Sequence, residues 1–295
     1  MLTLETKSAP RVDDVSLPEE PGRTTDLIIE RHTGLFHLDL NAVWHYRELL
    51  YFLIWRDIKV RYKQTVIGAG WAVLQPLMTM VIFSIVFGNF AKIPSDGVPY
   101  PVFAYAALLP WNFFAQALSR SGNSLVGSAN LITKVYFPRL VIPIAAAVAS
   151  IVDFAIALVI LLGMMIWFSI PPTWATLTLP LFLALSLVTA LSVGLWLSAL
   201  HVRYRDVGYI IPFLTQVWMY ASPVVYPVSV VPEKWRLVYS LNPIVGVIEG
   251  FRWALLNTHT PDFSAMAISG VIVIALLLGG IVYFRQMEQT FADVI

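Results

Sequence analysis

The sequence predicts an all-α membrane protein with six transmembrane helices per protomer, an N-terminal interfacial helix and a re-entrant helical hairpin between spans five and six. Three observations carry that prediction. Hydrophobic residues make up 58% of the 295 and charged residues only 13%. The charges are bunched, so that none falls between Lys63 and Lys92, Asp96 and Arg120, Asp153 and Arg203, Asp206 and Glu233, or Asp262 and Arg285. Uncharged apolar runs of about 18 or more residues read as membrane-crossing helices. Finally, Lys and Arg fall mostly on one side of the runs, as cytoplasmic loops require.

Residues 1–35 form the first region, rich in Pro, Glu, Asp and Thr through Arg31. That composition, without the apolar core of a signal peptide, predicts a disordered cytoplasmic tail. Residues 36–70 are expected to hold the interfacial helix. Its apolar stretch Leu49 to Trp55 is too short to cross, and Arg47 and Glu48 precede it while Arg56, Asp57, Lys59, Arg61 and Lys63 follow. Such a helix lies on the cytoplasmic leaflet, with Trp44, Trp55 and Tyr62 at headgroup depth and Arg56 and Arg61 among its anchoring charges.

Residues 71–295 form the six-span domain. The spans are placed at residues 71–90, 101–117, 140–168, 177–200, 207–226 and 264–284. The stretch 227–261 is too long for a structureless loop and too apolar for a soluble one. Pro232, Asn242-Pro243 and Gly246 divide it into two helical pieces, 233–240 and 245–256. These are expected to fold back into the outer membrane face, where protein or a water-filled cavity satisfies the broken backbone. Fifteen Lys and Arg then lie on the side of the termini and four opposite, Lys92, Lys234, Arg236 and Arg252. Both termini are therefore predicted to be cytoplasmic.

Chemistry on the chain itself is limited. There is no cysteine, which excludes disulfides, thiol catalysis and thiolate metal sites. The net charge of +1 gives no argument for nucleic acid. No phosphate-cradling Gly-Lys-Ser/Thr loop, HExxH, GxSxG or GxGxxG occurs. Yet the cytoplasmic segment Asn123 to Arg139 carries Leu131, Ile132, Val135, Tyr136 and Phe137. A charged connection is by default solvated, but a solvated loop has no use for five apolar residues. A docking element does, so the segment reads as the place where a partner delivers energy. Leu131, Lys134, Tyr136, Phe137 and Arg139 are the candidate contacts. Arg203, Arg205 and Asp206 either join them or serve as positive-inside anchors.

Five pieces carry a resemblance. Arg61-Tyr-Lys-Gln-Thr-Val-Ile-Gly68 with Trp71 and Leu74-Gln-Pro76 is the first, and Leu108-Leu-Pro-Trp-Asn-Phe-Phe114 the second. Leu131 to Arg139 follows, then Arg203-Tyr-Arg-Asp206 with Ser222-Pro-Val-Val-Tyr-Pro227, then Glu288-Gln-Thr-Phe-Ala-Asp-Val-Ile295. In this order they resemble the permease subunits of bacterial ABC transporters that export polysaccharides, from about Trp44 to the last residue. Thr65 and Ile67 stand where that pattern has Ser and Leu. The resemblance implies a homodimer in the bacterial cytoplasmic membrane, with two copies of a separate nucleotide-binding subunit. The substrate it implies is a lipid-linked polymer such as O-antigen, capsule or teichoic acid. ATP and Mg would then sit on the partner, and this chain would hold no cofactor. An exporter of lipids or drugs is the nearer rival. A membrane-embedded glycosyltransferase needs acids or histidines grouped at one membrane face, whereas here the acids are scattered and His201 stands alone.

Within that frame, sugar rings present C–H faces to aromatics while their hydroxyls need polar partners. Trp111, Phe113, Phe114, Trp218 and Tyr220 are candidate channel-lining residues, with Asn112, Gln116 and Gln216 as polar partners. Asp153 is the one carboxylate deep in an expected span, and such a group needs a partner. It either lines the channel or dimer interface, or hydrogen-bonds a neighbouring Ser, Thr or Trp. Glu249 and Arg252, spaced i, i+3, are expected to pair at an external gate.

Overall fold

The computed structural model describes residues 40–63, 68–258, 260, 262–288 and 291, and among these every regular element is helical. Helices α1 (Leu40–His45) and α2 (Arg47–Lys63) come first. α3 (Gly68–Phe83) continues as a π-helix over Ser84–Phe90. Then come α4 (Tyr100–Gly127), α5 (Ala129–Ile132), α6 (Val141–Val148) and α7 (Ile151–Trp167). A 3₁₀ turn, Trp174–Thr178, leads into α8 (Leu179–Arg203), followed by α9 (Val207–Tyr220), α10 (Glu233–Ser240), α11 (Pro243–Leu256) and α12 (Phe263–Glu288). The expected tail, 1–35, lies outside the described residues, as do 64–67 and most of the chain beyond Glu288.

Among the described residues, four helical runs are long and apolar enough to cross a membrane: Gly70–Phe90, Val141–Trp167, Trp174–Arg203 and Phe263–Glu288. They coincide with four of the six expected spans. The other two expected spans are helices of a different kind. α4 is 28 residues, about 42 Å long, and polar in its second half, where Asn112, Gln116, Arg120 and Asn123 fall. α9 has 14 residues, short of the roughly 20 that a perpendicular crossing takes. The third expected span is two helices with a break at Ala149 and Ser150.

Local chemistry sets these boundaries. Pro101 and Pro180 sit in the first turns of α4 and α8, where the missing N–H costs no helical bond. Asn242 caps α11, its Oδ1 accepting from the Ile244 N–H, and Pro243 follows at the first helical position. α11 ends on Asn257 in the left-handed conformation. Asp262 caps α12 by accepting from the N–H groups of Ser264 and Ala265 at 2.9 and 3.3 Å. With the Ser264 hydroxyl added, these donors hold its carboxyl below the usual range.

α4 is the axis of the bundle. From Val102 to Leu109 no residue is more than 2% exposed, because α8 runs along it and α3, α6, α7, α9 and α11 pack on its other sides. The larger core surrounds this segment. A second core gathers Leu53 of α2, Leu125 of α4, Ile132, Phe137, Leu140, Val202 of α8, and Phe284 and Phe291.

Two close approaches hold the packing in register. A Cβ on Gly250 of α11 would lie 2.1 Å from the Phe182 ring of α8. Trp196 of α8 covers Gly279 and Gly280 of α12 and donates its indole N–H to the Leu276 carbonyl at 2.9 Å. Gly250→Ala is therefore expected to lower stability by about 1–3 kcal/mol, read as the thermal unfolding midpoint of the purified chain by tryptophan fluorescence. Phe182→Leu in the same chain makes room and recovers most of the loss. An unchanged midpoint for the single variant would show that α8 and α11 do not meet at this distance.

Candidate functional site

A buried carboxylate organises one end of the bundle. Asp153, in the first turn of α7, has a side chain 5% exposed, and its Oδ2 takes salt bridges from Arg61 of α2 and Arg120 of α4, both at 2.5 Å. Tyr62 donates its hydroxyl to Oδ1. Gln116 Oε1 accepts from Arg120 at 3.2 Å and from Arg61 at 3.5 Å. Burial, then the bond to Asp153, pushes the Tyr62 phenol well above its ordinary value, so it stays a donor.

This cluster corrects several expectations. Asp153 does bond, but to two guanidiniums and a phenol rather than to a neighbouring Ser, Thr or Trp. It is too enclosed to face an open path within the chain. Arg61 leaves the interfacial row and reaches into the bundle, and Arg120, counted among the loop charges, belongs to α4. Gln116 serves the two arginines. The need for a partner was readable from Asp153 alone. The partners themselves lie 92, 91 and 33 residues away and have no sequence signal.

Elsewhere α1 and α2 present aromatic side chains outward. Trp44, Tyr51, Phe52 and Trp55 are exposed while Leu53 is buried. Arg56 pairs with Asp57 at 2.8 Å, and Lys59 lies 5.2 Å from the Trp55 ring centroid.

The expected docking segment divides in two. Tyr136 is 90% exposed, and Lys134 and Val135 are exposed beside it. Phe137 is 4% exposed and belongs to the second core, with Ile132, and Leu131 is half-buried. Arg139 is committed inward as well. Its backbone N–H donates to Glu288 Oε1 at 3.1 Å, its Nη1 to the Glu288 carbonyl, and its guanidinium lies 5.8 Å from the Phe291 ring centroid. Phe137 and Arg139 therefore hold the turn in place rather than face a partner. Arg203, Arg205 and Asp206 are exposed between α8 and α9. His201 is buried, its Nδ1 3.3 Å from the Gly122 carbonyl.

The aromatics separate by exposure. Trp111, Phe113 and Phe114 are 3%, 2% and 0% exposed. Their rings meet one another, Phe154 and Trp218 at centroid distances of 5.1–5.6 Å. They are core residues within this chain, which corrects their assignment to a channel wall. Trp218 is half-buried, and Gln216 and Tyr220 are exposed on the unpacked face of α9 with Tyr209, Phe213 and Val217.

Arg252 is 2% exposed and pairs with Glu249 across 3.6 Å. Its Nη2 and Nη1 donate to the carbonyls of Val224 and Tyr226 at 3.0 and 3.3 Å, and its guanidinium sits 3.7 Å above the Phe103 ring. In the non-helical stretch after α9, Arg252 thus satisfies two carbonyls and the Tyr100 hydroxyl donates to a third, that of Val225, at 2.8 Å, roles the sequence did not disclose.

Comparison with known proteins agrees with this architecture. Residues 48–256 match the ABC-2 type transporter family. An O-antigen export system permease protein of Myxococcus xanthus is 27% identical over 257 residues, covering 86% of this chain and 98% of its own length. One from Klebsiella pneumoniae is 25% identical over 249 residues, covering 84% and 95%. A polysialic acid transport protein of Escherichia coli is 23% identical over 239 residues, covering 80% and 92%.

The Asp153 cluster predicts a non-additive pair of variants. Arg120→Met alone removes one counter-charge from a buried carboxylate and is expected to cost about 1–3 kcal/mol, because Arg61 still pairs. Arg120→Met with Asp153→Asn removes the charge that needed it and is expected to cost less. Thermal unfolding of both purified variants and of Asp153→Asn alone checks the order. A double variant as unstable as the sum of its singles would show that the two side chains do not interact.

Proposed function

We propose, from the premise that this chain belongs to the ABC-2 type transporter family, that it is the channel-forming subunit of an ATP-driven exporter of lipid-linked polysaccharide. O-antigen is the first candidate, and capsule or teichoic acid polymers are alternatives. The chain is a permease subunit of the inner membrane and is not itself catalytic, and ATP hydrolysis belongs to a separate subunit. The observation that carries the substrate assignment is the near full-length match to relatives named for O-antigen and polysialic acid transport.

In this reading two copies of the chain and two ATPase subunits form the transporter. ATP and Mg reside on the partner, and both termini are cytoplasmic. α4 and α9 complete six membrane-embedded passages. α4 qualifies because its polar side chains are half-buried against other helices, and α9 because the bent segment after it extends its reach. α10 and α11 are the re-entrant hairpin, with Glu249 and Arg252 bracing an external gate. The exposed face of α9, with Gln216 and Tyr220, is the surface left for the channel or the second copy. Lys134, Val135 and Tyr136, with Arg203, Arg205 and Asp206 as further contacts, face the ATPase, since a 90% exposed Tyr in an otherwise anchored turn is suited to burial in a partner's groove.

Two single variants separate docking from anchoring. Tyr136→Ala is expected to leave insertion and folded yield unchanged while reducing export, with loss of about 2 kcal/mol of interface energy. Phe137→Ala is expected to lower the folded yield itself, since it empties a core position at a cost of about 3 kcal/mol. The checks are recovery of the ATPase subunit with the purified permease, and surface polysaccharide normalised to assembled transporter. Normal values of both for Tyr136→Ala would leave this turn without a coupling role.

A further inference from the structure

The end of α9, α10 and the start of α11 enclose an open cleft of about 440 Å³, lined by Trp218, Trp235, Val238, Tyr239, Leu241 and Asn242. That volume falls within the ~300–1,000 Å³ of small-ligand sites. On the α9 and α11 side and at Tyr239, the polar atoms of its walls are bonded within the chain. Trp218 donates its indole N–H to Asn242 Oδ1 at 2.8 Å, and Asn242 Nδ2 donates to Ser222 Oγ at 3.0 Å and to the Ala221 carbonyl at 3.2 Å. Tyr239 donates to the Tyr226 hydroxyl at 3.1 Å. Trp218 is also braced edge-on against Phe114, centroids 5.1 Å apart. What the cleft offers a ligand is therefore aromatic surface, held in place at Trp218 and Tyr239. Trp235 supplies one that is 54% exposed, and Glu233, Lys234 and Arg236 of the same helix are exposed around it.

We propose that this cleft is a carbohydrate subsite that holds sugar rings of the exported polymer. This assignment rests on the polysaccharide reading above. Pyranose C–H groups, polarised by the adjoining oxygens, are drawn to the negative faces of indole rings, and Trp218 and Trp235 are the platform for them. The hydroxyls at the ring edges meet the remaining acceptor capacity of the Tyr239 oxygen and the charged residues of α10. An acyl chain makes no use of such a rim, and Leu or Val would line a lipid groove as well as two indoles do. The bonded side of the cleft, Trp218, Tyr239 and Asn242, also loses little entropy when a ring settles on it.

Trp235→Leu keeps the apolar volume and removes the aromatic face, whereas Trp235→Phe keeps a smaller face. In cells making the full transporter, Trp235→Leu is expected to lower surface polysaccharide per assembled complex roughly fivefold, and Trp235→Phe to retain most of it. In parallel, the purified full chain in nanodiscs is titrated with the host's own surface polysaccharide, released from its lipid, following tryptophan fluorescence. A saturable change is expected for the unaltered chain and for Trp235→Phe but not for Trp235→Leu. Leu matching the unaltered chain in normalised export and in titration overturns the subsite. Leu lowering only the assembled yield also overturns it, since that result marks a membrane-seating role. Deleting the permease without loss of surface polymer would instead overturn the polysaccharide reading, and with it the ligand named here.

Discussion

A charge withdrawn from water has to be met by another, and at Asp153 that requirement ties three elements together. Its carboxylate draws Arg61 from the end of α2 and Arg120 from α4 to the first turn of α7. Without it the two guanidiniums would repel at the same place. Without them an ionised group would be left buried and unpaired, at a cost of several kcal/mol. α2 is thereby fixed to the interior of the bundle, and the polar part of α4 has a partner there.

The same rule operates on the backbone further along the chain. After α9 the chain gives up helical geometry, and carbonyls that water would satisfy in a soluble loop are buried. Arg252 answers two of them and rests on Phe103, while Asn242 both caps α11 and binds Trp218 and Ser222. One cation, one amide and the Tyr100 hydroxyl, which bonds the Val225 carbonyl, therefore permit a bend that bare lipid would not tolerate. The bend in turn sets α10 and α11 beside the end of α9.

The sequence disclosed whatever depended on composition and punctuation. Pro232 and the Asn242-Pro243 pair marked α10 and the start of α11 to within a few residues, because proline and asparagine act locally through φ and through capping. The four apolar spans were equally plain. What it concealed was contact at long separation. Nothing near Arg120 distinguishes an anchor in a loop from the counter-ion of a carboxylate in another helix. Phe137 and Tyr136 are adjacent aromatics in one turn, and only packing decides that one enters the core while the other faces outward. Trp111, Phe113 and Phe114 mislead for a related reason: an aromatic cluster that fills a helix bundle has the same composition as one that lines a passage.

The bond from Arg139 to Glu288 and the seat of Trp196 over Gly279 and Gly280 grip α12 at two points eight residues apart. A single residue inserted between them would turn the far end by about 100° and advance it by about 1.5 Å, carrying Glu288 away from Arg139. α12 is thus a ruler of fixed length rather than a tether. Its apolar stretch can drift by substitution, whereas its residue count between the two grips is not free to change, and any tilt of the turn at Tyr136 must move the helix as a rod.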